Sequence, residues 1–397
     1  MRRENADEVI ELDGKQLEKQ KKKKLLIIII LIILALVIFL SALIGKNVLK
    51  KLNLIDYEGT ENTTIDPNQE FVEDENETLD FEQMDDATGT DFKSILKNWA
   101  TNGGEKMSSK NIINVLLIGS DAASDDPNRA DVTEKGNTDV MMIVSIDKKN
   151  KTIKLASIMR DSYTYMDGFD RYAKLNAACQ NGGPSYLVET IENDYKIEID
   201  GYVIVDFDSF KEVIDVLGGV NVDVPAYVAN HLNTNKDYAG LNHVPSGEGV
   251  LLDGEQALAF SRVRKTDADG DVSRVKRQRQ VIFALIEKCS DANIFEKSDV
   301  VDVMAANVKT NFTKKQVLNY GAQAVAGGWA DFEISEITMP TEDARYGYKY
   351  KSAGWIWVVD YPLAAQNLQK ELYGTTNINL EENRKTAISI MGGYVSK

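Results

Sequence analysis

Between Ser261 and Ile282 the chain gathers five arginines and two lysines. They sit in a protein whose formal net charge is -16 at pH 7. Guanidinium forks match phosphate oxygens two at a time and do not lose their charge. So dense a cluster in an acidic chain predicts a site for a phosphate-bearing anion. Three other segments carry charge where predicted strands begin or end: Gly119-Ser120-Asp121, Asn137-Thr138-Asp139 and Ser157-Ile158-Met159-Arg160-Asp161. Loops at strand ends are where open α/β sheets bind their ligands. Aspartates at two such places are the oxygen donors that Mg²⁺ takes alongside phosphate oxygens and water. Taken singly, each aspartate also reads as a turn or cap residue.

The elements that must position these groups are legible from patterning. Asn111 to Ile118 is an apolar run ending in the first acidic loop. Val140 to Ile146 and Thr152 to Ile158 flank a Lys148-Lys149-Asn150 turn, which predicts a hairpin. Ser185 to Asn193 reads as a helix and Tyr202 to Phe207 as a strand. A helix from Asp208 to Leu217 follows, closed by Gly218-Gly219, and then a strand from Val220 to Val224. Asp253 with Gln256 three residues on forms a capping-box signature. Phe260 to Arg264 reads as extended, which sets Arg262 and Arg264 on one face. From Ser273 the pattern is helical, and Arg274, Gln278, Val281 and Leu285 make one stripe, polar at its start and apolar at its end. Arg279 falls on another face of that helix. Lys314 to Val325 reads as a helix and Phe332 to Thr338 as a strand. Strand and helix alternating with short joints predicts an α/β fold, a mixed central sheet flanked by helices in α/β/α layers.

Organisation outside that domain follows from hydropathy and charge. Leu25 to Ile44 is a twenty-residue apolar run with Ser41 its one polar member. At about 1.5 Å per residue it spans a hydrocarbon core. Arg2, Arg3, Lys15, Lys19 and Lys21 to Lys24 precede it, which predicts a retained signal anchor with a cytoplasmic tail over 1–24 and everything after Ile44 outside the cell. From Asp56 to Asp91 there are fourteen acidic residues and no basic one. That composition predicts a disordered, solvated linker over 45–92, ahead of a domain over 93–397. Cys179 and Cys289 are too few for a disulfide framework. His231 and His243 lack metal-ligand spacing. Trp355, Trp357 and Tyr361 read as packing residues, with a sugar-contact patch as the other reading. External placement and the acidic balance argue against nucleic acid as a partner.

The segments LLIGSD, NTDVMMIVSID, SIMRDS, KLNAA, VDFDSFKEVIDVLGGVNVDVP and DGEQALAFSRVRKTDADGDVSRVKRQRQVI occur in that order from about residue 111 to 288. Together they resemble the LytR-CpsA-Psr family of extracytoplasmic phosphotransferases of Gram-positive envelopes. The resemblance implies transfer of a glycopolymer, such as teichoic acid or capsular polysaccharide, from a polyprenyl-diphosphate lipid to peptidoglycan, assisted by Mg²⁺ or Mn²⁺. It implies that Asp121 and Asp139 hold the metal and that Arg160, Arg262, Arg264 and Arg274 form the catalytic cage around the diphosphate. It further implies that Gln278 donates a hydrogen bond there and that the lipid tail occupies an apolar channel through the core. The chain departs from the family pattern at Asn137, where an arginine is common, and at Met159, where a proline is. Arg129, in the loop between the two aspartates, is the candidate replacement for the missing charge. Asn137 also supports the alternative of a non-catalytic envelope protein that binds polyprenyl-phosphate lipids or anionic glycopolymers.

Overall fold

The computed structural model describes residues 55–57, 92–102, 104–120, 138–263, 271–292, 299–300, 303, 308–329, 332–350 and 354–380. The candidate anchor over 25–44 lies outside them.

The centre is a seven-stranded mixed sheet in the order β1-β10-β7-β2-β3-β4-β11. Its strands are β1 (Asp56–Tyr57), β2 (Ile112–Ser120), β3 (Thr138–Asp147), β4 (Thr152–Ile158), β7 (Gly201–Asp206), β10 (Val308–Thr310) and β11 (Glu333–Met339). The predicted β3–β4 hairpin is present, with Met142 opposite Ser157 and Asp147 opposite Thr152. Asp147 Oδ1 accepts the backbone N–H of Lys149 and of Asn150, which closes the turn. β2 pairs antiparallel with β3 and parallel with β7.

Side chains alternate across these strands, so the apolar runs are buried on both faces. Met142, Val144 and Ile146 of β3 face one core, and Met141 and Ile143 face the other. The first core is covered by α3 (Phe207–Val216), α4 (Ala226–Thr234), α5 (Gly254–Arg262), α6 (Asp271–Asp291) and α7 (Lys314–Gly327). The second is covered by α1 (Phe92–Asn102), α2 (Ala177–Tyr195) and α8 (Tyr361–Tyr373). Three layers result, as the alternation of elements predicts. Small hairpins lie beside the sheet: β5 (Tyr163–Met166) with β6 (Arg171–Lys174), β8 (Val220–Val224) with β9 (Gly247–Leu252), and β12 (Arg345–Tyr350) with β13 (Gly354–Val359).

Local signals explain the joints. The α3–β8 turn needs Gly218 and Gly219 at φ 72° and 92°, and a Cβ on Gly219 would meet Leu252 O at 2.8 Å. The capping box of α5 is in place: Asp253 Oδ1 accepts the Gln256 N–H at 2.8 Å, and Gln256 Oε1 accepts the Asp253 N–H at 3.0 Å.

Three readings change. α2 begins at Ala177 rather than Ser185 and is broken at Gly183 (φ 77°, ψ 179°) just before Pro184. Residues 260–262 are helical, not extended, because Ala257 and Phe260 bury together as the inner face of α5 and Ser261 Oγ donates to Leu258 O. Asp56 and Tyr57, inside the predicted linker, form β1, and Ile55 before them is 9% exposed. Tyr361 packs as expected: it is buried, and its hydroxyl donates to Tyr163 O at 3.2 Å.

Candidate functional site

The site is built at one end of the sheet, where β2 and β7 finish and β3 starts. Ser120 closes β2, facing Thr138 on one side and Asp206 on the other. Asp139 is therefore one residue along β3 from Ser120's partner. Asp121, Asn137, Arg129 and Arg264 lie outside the described residues, as does the side chain of Asp139. What the described backbone brings together is one strand end carrying Ser120, Asp206 and Thr138.

Arg160 enters from the turn after β4. The Met159 N–H donates to Met339 O at 2.8 Å and fixes that turn against β11. Asp161 is 1% exposed, with its Oδ1 3.8 Å from Arg160 Nε and 3.4 Å from Lys174 Nζ. One buried carboxylate thus aligns two cations. The backbone joins the same residues to the strand end: the Asn176 N–H donates to Arg160 O at 3.2 Å, and Asn176 O accepts from Thr138 Oγ1 at 3.5 Å. Ser162 O accepts the Leu175 N–H, and Asp161 O accepts the Trp357 N–H. The sequence places Asp161 in a charged strand-end segment and Lys174 in the KLNAA segment, but neither carries a signal for its role.

α6 lies across β3 and β4. The predicted stripe is buried along its length: Arg274 is 2% exposed, Gln278 7%, Val281 0% and Leu285 7%. Arg274 and Gln278 line a cleft with Val140, Met141 and Met142 of β3 and Ser157 and Ile158 of β4. The cleft encloses about 10 Å³, room for one water.

Arg279 differs from expectation, and Arg277 adds a contact to which the sequence assigned no role. Arg279 lines the same cleft, and its Nη1 donates to Thr338 Oγ1 at 2.8 Å. It sits only about 100° around the helix from Gln278, and the sheet extends far enough, through β11, to meet that flank as well. Arg277 is buried, and its Nη2 donates to Val263 O, pinning α6 to the end of α5. Its position three residues after Arg274 was the available signal.

Arg262 ends α5. Its guanidinium lies 4.9 Å from the centroid of the Phe207 ring. Phe207 follows Asp206, so the helical end of α5 still delivers Arg262 beside the strand end. Burial pushes the Tyr238 phenol up, and the charges of Arg262 and Arg277 both pull it back. The end of the sheet is therefore ringed by Arg160 and Lys174 on one side, Arg274, Arg277 and Arg279 on another, and Arg262 on a third. Arg274 and Arg277 are buried, Arg160 and Arg279 are partly buried and Arg262 is exposed, so the ring grades from solvent to interior, and its buried guanidinium groups are suited to an anion that replaces lost hydration.

A family model described as the LytR_cpsA_psr family matches residues 73–372. A polyisoprenyl-teichoic acid–peptidoglycan teichoic acid transferase TagU from Bacillus anthracis is 34% identical over 275 residues, covering 68% of this chain and 82% of the relative. A TagV transferase of the same description from Bacillus subtilis is 37% identical over 217 residues, covering 54% of each. The solved structure "TagT bound to LI-WTA" superposes with a TM-score of 0.51 at 28% identity, covering 68% of this chain and 93% of that one.

Proposed function

The chain belongs to the LytR-CpsA-Psr family, and on that premise we propose that it transfers a glycopolymer of the teichoic-acid class from a polyprenyl-diphosphate carrier to peptidoglycan. The observation that carries the reading is the buried pair Arg274 and Gln278, held over β3 and β4 at the strand end where Arg160 is aligned by Asp161. Phosphoryl transfer needs little covalent chemistry from the protein. It needs the reactants positioned and the charge on phosphate oxygens stabilised. Arg160, Arg262, Arg264 and Arg274 bind the diphosphate oxygens, and Gln278 donates a hydrogen bond to them. An acceptor hydroxyl on peptidoglycan attacks the glycan-side phosphorus, and its proton ends on the departing phosphate. The bond from that phosphorus to the bridging oxygen breaks, and polyprenyl monophosphate leaves. Fixed guanidinium groups in a water-poor cleft stabilise the charge that collects on the leaving oxygens.

The donor chemistry at this strand end fits a hard divalent ion. Asp121 follows Ser120, Asp139 follows the residue that pairs with Ser120, and Asp206 is the pairing partner on the other side. Asp121 and Asp139 would hold Mg²⁺ or Mn²⁺. Bound there, such an ion supplies charge neutralisation at the diphosphate. Among the described residues no group of three His, Cys, Asp or Glu is placed to hold a metal, and Asp121 and the Asp139 side chain are not among them.

Localisation belongs to the same proposal. Residues 25–44 anchor the chain in the cell membrane, with the N-terminus cytoplasmic and the catalytic domain outside. Among the described residues no helix is long and apolar enough to cross a membrane. A reporter fused after Lys397 should be active only outside the cytoplasm.

The test of function is turnover. The purified full chain, given a polyprenyl-diphosphate glycan and peptidoglycan oligomers, should release polyprenyl monophosphate and leave glycan on the acceptor. A lipid that is bound and recovered with its diphosphate intact would overturn the proposal and leave the non-catalytic binder standing.

A further inference from the structure

Ser157 is the last residue of β4 that faces α6. Ile153 and Leu155, at spacings of two before it, belong to the core that α6 covers, and side chains alternate along a strand. Ser157 lies opposite Met142 of β3, whose side chain is in the same core, and beside Thr338 of β11. β4 runs the same way as β2, since both pair antiparallel with β3. Ser157 therefore comes at the end of the sheet that carries the site.

This serine is 5% exposed, and its Oγ is buried without a hydrogen-bond partner among the described residues. A buried hydroxyl left unpaired destabilises a fold, and such groups are rare in native proteins. Its neighbour in the sheet differs: Thr338 Oγ1 accepts from Arg279 Nη1 at 2.8 Å. Ser157 lines the cleft with Arg274, Gln278 and Arg279, and the roughly 10 Å³ enclosed there accommodates one oxygen-sized group. Beyond this level the facing side chains are apolar: Leu155 and Ile153 on β4, Val144 and Ile146 on β3, and Val281 and Leu285 on α6. Ser157 on the strand and Gln278 on the helix thus mark the border where polar lining gives way to apolar.

We propose that Ser157 is a further substrate-binding residue, whose hydroxyl donates to a non-bridging oxygen of the lipid-side phosphate at this border. The inference rests on the polyprenyl-diphosphate substrate proposed above. Of the two phosphates, the lipid-side one carries the apolar tail, so it is the one that lies against the apolar lining. It is also the one that leaves with added negative charge, as polyprenyl monophosphate. A hydroxyl donor there holds the substrate and stabilises the leaving group with the same hydrogen bond. A hydroxyl that destabilises the free protein is then accounted for by a partner that arrives with the substrate.

The test compares Ser157→Ala with the unmodified full chain, with farnesyl monophosphate as the probe. Removing the hydroxyl should weaken farnesyl monophosphate binding about tenfold by calorimetry, the loss of one hydrogen bond to a charged group. It should lower kcat/KM on a polyprenyl-diphosphate glycan by a similar factor. The melting temperature of the ligand-free variant should stay the same or rise, since no unpaired hydroxyl is buried any longer. Unchanged affinity for farnesyl monophosphate would overturn the proposal, because the hydroxyl would then serve the glycan-side phosphate or neither. Weaker binding together with a lowered melting temperature would overturn it too, since the loss would then come from the fold. Failure of the unmodified chain to bind farnesyl monophosphate would strike the proposed function, and this inference with it.

Discussion

Asp161 and Asp194 are equally buried, each 1% exposed, yet they are surrounded differently. Asp161 has two cations within 4 Å, Arg160 at 3.8 Å and Lys174 at 3.4 Å. Its backbone carbonyl accepts from Trp357. Asp194 sits beside the core under α1, α2 and α8. Its Oδ1 accepts from Thr164 Oγ1 at 2.8 Å, and its backbone carbonyl accepts from the Trp99 indole N–H at 2.9 Å. Lys196 turns its ammonium to Trp99 O at 2.8 Å and Ala100 O at 3.3 Å instead. Burial raises the Asp194 carboxyl to about 7 and lowers the Lys196 ammonium to about 8. One buried carboxylate aligns cations at the end of the sheet. The other joins α1, α2 and β5 and is itself strained by the loss of water. The contrast separates chemistry from architecture more clearly than burial does.

The largest expected effect is at the first carboxylate. Asp161→Asn removes the charge between Arg160 and Lys174 while keeping the shape. Leaving buried cations without their counter-charge costs about 3–5 kcal/mol, to be read from denaturant unfolding, and transfer should fall below detection. A variant with wild-type turnover would mean that Asp161 is architecture like Asp194. Next comes Arg274→Ala. Loss of one charge-assisted contact is worth about 1.5–3 kcal/mol, which slows transfer roughly ten- to a hundredfold. Arg274→Lys should restore only part, because an ammonium cannot fork two phosphate oxygens.

Asp194→Asn should leave turnover unchanged and alter the pH dependence of stability. The folded value of about 7 lies above the ordinary 3.8, so the native state holds the proton more tightly than the unfolded chain. The stability contributed is complete below the ordinary value and is lost as pH rises through about 7. Melting temperatures of the variant should therefore gain on the wild type between pH 4 and pH 8, and a constant difference would contradict the account. The smallest effect belongs to Arg279→Ala. Its hydrogen bond to Thr338 is part-buried, and its 3.7 Å approach to Glu336 meets a half-exposed carboxylate. Such pairs contribute about 0–1 kcal/mol, so turnover should change no more than a few-fold.

These residues also show what a sequence can reveal. The β3–β4 hairpin, the α5 capping box and the buried stripe from Arg274 to Leu285 all follow local periodicity or fixed spacing, and each is in place. The sequence predicts an extended backbone at Arg262 because α5 is too short for its apolar stripe to stand out. The alignment of Lys174 by Asp161 depends on β6 folding back beside the β4 turn, and no local pattern encodes that. A two-residue strand such as β1 has no periodicity at all, and the acidic composition around it carries no signal for a strand. Asp121 and Asp139 were legible as strand-end carboxylates, and their neighbours Ser120 and Thr138 are paired.

The most direct test of the account is the structure of the protein with a prenyl diphosphate bound. Diphosphate oxygens should lie within hydrogen-bond distance of Arg160, Arg274 and Gln278. A diphosphate held elsewhere, with Arg274 and Gln278 still closed over the empty cleft, would contradict it.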